Sequence, residues 1–315
     1  MAEIARFFKF DDQPPLIRLI ISFCVVIVAG TLLFWAFIAA GTLIFGTPLG
    51  KMTRILASDK GQSGTIALKY IQFSQEISMF LIPTIIVAQL LKKQNERFLR
   101  LGGSPAPLNA ILVILLVIMF IPLISYTGIL NSRLELPHRF SAIKQWMKST
   151  EERATNLTEL LVTSSGIITL CINIFLIAIV PAFCEELLFR GTFQPLLSET
   201  LRSSHAGIWI TAIIFSSIHL QFFGFLPRLI LGLVFGYLFY WTGNLWYSII
   251  AHFINNFVSV MSVYFYGWKT LTNQVEQNGM GNPSFPLTTV ILSAIILFYF
   301  WNEFRKRSAV SQSHP

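Results

Sequence analysis

The constraint that dominates this chain is a series of apolar runs, each about the length needed to cross a lipid bilayer. A spanning helix needs about 20 mostly apolar residues. Eight stretches meet that requirement: roughly 17–45, 71–91, 108–130, 166–188, 206–222, 226–242, 245–266 and 285–303. In hydrocarbon every backbone N–H and C=O must be paired within the segment, so such runs become helices. The expected fold is all-α: a polytopic membrane bundle of about eight transmembrane helices. Composition agrees, because 54% of residues are hydrophobic and only 12% are charged. So few charges cannot cover a water-exposed surface, which excludes a soluble enzyme, a disordered chain and a nucleic-acid binder. The net charge of +8 is spread between the apolar runs, as in loops that meet anionic headgroups. Cys24, Cys171 and Cys184 all fall within apolar runs and read as small hydrophobes.

The breaks between runs have local causes. Lys92-Lys93 and Gly102-Gly103 close the second run, and Gly243-Asn244 makes a tight turn. Residues 273–286 form a Gly/Pro/Asn loop. Met1 to Pro15 reads as a cytoplasmic or interfacial leader carrying Phe7, Phe8 and Phe10, and no cleavable signal is evident. Residues 47–69 are expected to lie flat in the interface, and 131–163 to form an amphipathic helix. The expected division is an N-terminal membrane region at 1–160, a core at 161–270, and a last span with its tail at 271–315. Lys and Arg divide almost evenly between the two sides. The inside charges sit in short flanks such as 92–100 and 305–307, which favours a multi-pass cell-membrane protein with both termini cytoplasmic.

Ionisable groups inside a bilayer are expensive and ask for a reason. The chain has three Asp, at 11, 12 and 59, and none lies in a span, so an intramembrane aspartyl dyad is excluded. Neither G-x-S-x-G nor H-E-x-x-H occurs. What remains is Glu185-Glu186 with Arg190 on the fourth span, Phe215 and His219 on the fifth, and His252, Asn255 and Asn256 on the seventh. Glu76 reads as a boundary residue or as part of a cavity wall. Residues four apart share a helix face. Glu186 can therefore pair with Arg190, His252 and Asn256 can face one cavity, and Glu185 is left without a cation. At 1.5 Å per residue, Glu185 lies about 25 Å and His219 about 21 Å from the turn near 202. His252 and Asn256 lie about 12 and 18 Å from the turn at Gly243. All four fall within the hydrocarbon zone. Each feature alone has a structural alternative: a neutralised ion pair, a capped histidine, interhelical polar contacts. Gly232-x-x-x-Gly236 reads as a close helix-packing element.

In this order and spacing, Glu185-Glu186-x-x-x-Arg190, Phe215-x-x-x-His219 and His252-x-x-x-Asn256 resemble the CPBP family. These are the CAAX-protease and bacteriocin-processing membrane peptidases, relatives of the type II CAAX prenyl endopeptidase. The resemblance covers about residues 166–266. It implies an intramembrane endopeptidase acting on a hydrophobic or membrane-associated peptide or protein within the bilayer. Glu185 would activate water with His219, His252 and Asn256 would bind the oxyanion, and Glu186 and Arg190 would shape the site. No cofactor is expected; the alternative is the same peptidase using Zn²⁺. Two other classes stay open: a non-catalytic scaffold or bacteriocin-immunity protein, and a transporter using the same groups as a proton path.

Overall fold

A computed structural model describes residues 10–50, 62–91, 99–133, 137–163, 166–268, 270 and 287–313. The fold is a polytopic bundle of α-helices, with no strand among the described residues. Among the described residues, seven helices are long and apolar enough to cross a membrane: α1 (Pro15–Phe45), α2 (Thr65–Leu90), α3 (Pro107–Ser132), α5 (Ile167–Thr200), α7 (Phe222–Thr242), α8 (Trp246–Tyr266) and Leu287–Lys306, within α9 (Leu287–Ser313). Between α3 and α5 lies α4 (Ser141–Val162), the expected amphipathic helix. Lys92-Lys93, residues 1–9, 51–61 and the 273–286 loop lie outside the described residues. The part of 47–69 that is described from 62 onward already belongs to the helix that becomes α2.

The expected fifth span, 206–222, differs. It is α6 (Ser204–Ile218), 15 residues long, or about 22 Å at 1.5 Å per residue. That falls short of the roughly 30 Å hydrocarbon thickness. The helix stops because Leu220 adopts φ 52°, a conformation that no α-helix continues through. A short 3-10 turn, Phe222–Gly224, then redirects the chain. Its backbone is paired by side chains: Asn131 Nδ2 donates to the Phe222 carbonyl at 2.6 Å, and the Phe223 N–H donates to Glu151 Oε2 at 3.2 Å.

Two spans carry π-helical turns, and each turn precedes a proline by two residues. Glu76–Leu81 precedes Pro83, while Ile174–Ile179 and Phe189–Phe193 precede Pro181 and Pro195. A proline lacks the N–H that would bond four residues back and crowds that carbonyl. Widening the preceding turn to i→i+5 bonding relieves the clash. Thus the Val180 N–H reaches the Phe175 carbonyl and the Gln194 N–H the Phe189 carbonyl.

Two apolar clusters flank the middle of α5. One joins α1, α2, α5 and α6 through residues such as Leu19, Phe80, Val180, Phe189 and Phe215. The other joins α3, α7, α8 and α9 through Leu116, Phe235, Ala251 and Phe300. The α1 start and the α9 end lie at the same end of the bundle. Arg18 pairs with Glu199 near the α5 terminus, and the Phe304 ring lies tilted against Tyr240, centres 4.9 Å apart, near the α7 terminus.

Candidate active site

The middle of α5 supplies the acids. Glu185 and Glu186 lie one turn beyond Pro181, on a stretch of α5 that is buried along its whole circumference. Adjacent residues point about 100° apart on a helix, so the two carboxyls face different neighbours. Glu186 Oε1 accepts from Arg190 Nη1 at 2.7 Å and from His252 Nδ1 at 2.9 Å. Both Glu186 and Arg190 have no exposed side-chain surface. Such a buried ion pair is tolerable only with further hydrogen bonds. Arg190 has them: Nη2 donates to the Gly232 carbonyl at 3.1 Å, and the guanidinium lies 4.6 Å from the Phe215 ring centre and 5.5 Å from that of Phe235.

That carbonyl is reachable because α7 presents glycine there. A Cβ on Gly232 would meet Ala212 Cβ at 3.1 Å, and one on Gly236 would meet Gln194 Oε1 at 2.9 Å. Arg190 and Gln194, four apart on α5, donate in parallel to the Gly232 and Gly236 carbonyls, also four apart. The Gly232-x-x-x-Gly236 element therefore does more than let helices approach. It exposes two carbonyls that hold the site's arginine and its neighbour.

The two histidines are oriented by acceptors. His252 bonds Glu186 through Nδ1, stacks on Phe235 at 5.4 Å and meets Phe215 edge-on at 5.9 Å. His219, which ends α6, bonds the Phe215 carbonyl through Nδ1 at 2.8 Å. A carbonyl or carboxylate oxygen can only accept, so each Nδ1 carries the hydrogen. Each ring is left with Nε2 for other work, as a lone pair when neutral and as a donor when protonated.

Asn256 is placed by Pro181 of α5. Pro181 has no N–H to offer the Ile177 carbonyl four residues back, and Asn256 Nδ2 donates to that carbonyl at 3.0 Å. Its Oδ1 accepts from Asn255 Nδ2 at 3.1 Å.

These groups surround a cavity of about 210 Å³, lined by Glu185, His219, Arg228, His252, Asn255 and Asn256 together with Phe215, Leu231 and Phe235. Of the six residues singled out by sequence, Glu185, His219, His252 and Asn256 meet at the cavity. Glu186 and Arg190 stand behind it and act on it through His252. Glu185 is 7% exposed, and its Oε2 is buried without a protein partner. A larger apolar cavity of about 510 Å³ lies between α1, α2, α5 and α6. No ionisable side chain lines it, so it lacks the means for acid–base chemistry.

Two residues were missed or misplaced by sequence. Arg228 lines the reactive cavity and donates to the Gln221 carbonyl at 3.1 Å and to the Gln221 side-chain amide oxygen. It lies outside every motif, and its position three residues before Leu231 carries no signal in one sequence. Glu76 is not a boundary residue. It is 2% exposed at the π turn of α2, its Oε1 accepts from Gln72 Nε2 at 3.1 Å, and its Oε2 is buried without a protein partner.

Comparison with known proteins falls on the same helices. The chain is 30% identical over 97 residues to the uncharacterized protein YpbD of Bacillus subtilis (strain 168), a match covering 30% of this chain and 47% of that protein. The chain thus spans about half the length of that relative. No solved structure matches. Residues 167–258, from the start of α5 to past Asn256, match the model of the type II CAAX prenyl endopeptidase Rce1-like family. Helices α5 to α8, which enclose the cavity, carry that similarity to the type II CAAX prenyl endopeptidase Rce1-like family.

Proposed function

We propose that the protein is an intramembrane endopeptidase that hydrolyses a peptide bond of a hydrophobic or membrane-associated peptide or protein. The observation that carries this is the Glu185 carboxyl, sunk among apolar helices with an oxygen that no protein group satisfies, in one cavity with two oriented imidazoles. Glu76 and Glu186 also have a buried oxygen without a partner, but of these three acids Glu185 is the one that lines the cavity with the imidazoles.

In the proposed reaction, water stands between Glu185 and His219 Nε2. Glu185 takes a proton as the water oxygen attacks the peptide carbonyl carbon. The carbonyl oxygen gains charge and is met by His252 Nε2 when that nitrogen carries a hydrogen, the ring being held through Nδ1 by Glu186. Asn256 adds its second Nδ2 hydrogen, the first being held by the Ile177 carbonyl. The C–N bond then breaks, and Glu185 returns its proton to the leaving nitrogen. Donors fixed in a site of low dielectric need little reorganisation, which makes each worth more than in water.

The donor set supports a route without metal. Among the described residues, no three His, Cys, Asp or Glu side chains are grouped so as to hold an ion, whereas a catalytic zinc takes three protein ligands. We therefore propose the glutamate route ahead of the Zn²⁺ alternative.

The test is cleavage of a hydrophobic peptide library by purified protein in detergent. Wild type should cleave and Glu185→Gln and His219→Ala should not, with activity unaffected by exhaustive chelation. Equal cleavage by wild type and Glu185→Gln would refute the mechanism. A wild-type protein inert on every library supports a binding or scaffold role instead.

A further inference from the structure

His219 caps the end of α6, and the chain turns as soon as it is passed. Leu220 adopts φ 52°, a conformation that a bulky residue takes up only under constraint. Its own side chain, 51% exposed, does not supply that constraint. Such a backbone persists where its surroundings over-determine it. Here three helices take hold of residues 221–223. Asn131 of α3 donates to the Phe222 carbonyl. Arg228 of α7 donates to the carbonyl and to the side-chain oxygen of Gln221. From α4, Glu151 Oε2 accepts the Phe223 N–H at 3.2 Å, and the Trp146 ring centre lies 5.1 Å from that of Phe222.

Glu151 brings a charge to that set from outside the cavity. A hydrogen bond to an ionised acceptor is about twice as strong as a neutral one. Its carboxylate also attracts Arg228 across the turn, so opposite charges hold the turn from two helices. Glu152, next in sequence, pairs instead with Lys148 at 4.0 Å. Helix α4 is itself anchored by its second half. Leu157, Leu160 and Leu161 pack on Ile38, Leu68 and Ile71, and the Val162 carbonyl accepts from Asn173 Nδ2 at 2.9 Å.

We propose that Glu151 is a positioning residue for His219. By holding the Phe223 N–H it fixes the turn, and the turn keeps the imidazole in the cavity beside Glu185. The Nδ1 bond to the Phe215 carbonyl, 2.8 Å long, sets the rotation of the ring. The turn sets the direction of the backbone that carries it. Because α4 lies outside residues 167–258, the segment that matches the family does not complete the site alone. What His219 does there rests on the peptidase reading; how it is held does not.

The test uses full-length protein labelled with ¹⁵N-histidine and purified in detergent. The imidazole signals of its five histidines are compared in wild type, Glu151→Met and Glu151→Gln, with His219 identified by its loss in His219→Ala. Methionine has similar reach and no acceptor oxygen, whereas glutamine keeps one for the Phe223 N–H. Glu151→Met should shift or broaden the His219 Nδ1 signal and leave that of His252 in place, and Glu151→Gln should return it close to wild type. On a library peptide that wild type cleaves, Glu151→Met should lower kcat about 10–100-fold with KM within about twofold, the effect of a small misplacement of a reacting group. Glu151→Gln should recover most of that loss. An unchanged His219 signal in Glu151→Met, a loss confined to KM, or no rescue by glutamine would overturn the proposal. A shifted His219 signal in a protein whose wild type cleaves nothing would overturn the peptidase reading and leave the positioning in place. Should Glu151→Met not fold, Glu151→Asp, one methylene shorter, is read in its place with the same outcomes.

Discussion

Replacing Glu186 with alanine should be among the most destabilising single changes available in this protein. Glu186 and Arg190 are both fully buried, and one carboxylate oxygen serves both Arg190 and His252. Removing one member of a buried pair leaves the other charge uncompensated, at a cost of about 3–5 kcal/mol. Arg190 keeps the Gly232 carbonyl and the faces of Phe215 and Phe235, which places the expected loss toward the lower end, about 3 kcal/mol. That corresponds to roughly a hundredfold fall in the folded-to-unfolded ratio. The assay is unfolding by SDS titration in mixed micelles, which requires no substrate. In the double variant Glu186→Ala, Arg190→Met the arginine no longer seeks a partner, and the loss should be smaller than the sum of the two single losses. Glu186→Gln keeps an oxygen for His252 Nδ1 but loses the charge, so it should fold better than alanine while cleaving poorly. A loss below about 1 kcal/mol for Glu186→Ala, a value typical of exposed pairs, would refute the buried-network account.

Other expectations follow from single contacts. Glu185→Gln should lower cleavage by about 10²–10⁴-fold with little change in SDS unfolding, because no protein partner of Oε2 is lost; a large stability loss would mark Glu185 as structural. Gly236→Leu should destabilise by about 1–3 kcal/mol, since even its Cβ would stand 2.9 Å from both Gln194 Oε1 and Ile208 Cγ2; wild-type unfolding would show that α7 packs elsewhere. Pro181→Ala restores an N–H that competes with Asn256 for the Ile177 carbonyl. Cleavage should fall while the fold persists, and unchanged kinetics would separate the proline from the site.

The bilayer makes much of this protein legible from sequence. Hydrocarbon forces the backbone into helices, so runs of apolar residues announce spans. It also makes polar residues costly, so Glu185, Glu186, Arg190, His219, His252 and Asn256 stand out without any structure. The i,i+4 spacing rightly paired Glu186 with Arg190. What spacing cannot convey is which helix lies beside which. That His252 shares Glu186 with Arg190, that Arg190 reaches a carbonyl exposed by Gly232, and that Arg228 enters the cavity are all consequences of packing between residues far apart in the chain. The length of α6 was also hidden, because Phe222 and Phe223 are as apolar as a span and only the turn at Leu220 ends it. Glu76 was misplaced for a related reason: its neighbours Gln72 and Gln75 look like a boundary, while α5 packs over it and buries it. The apolar runs determined that the chain is a membrane bundle and which residues pay a penalty for being in it. Tertiary packing alone decided which of those residues meet, because contact between helices depends on shape, and shape is not written in periodicity.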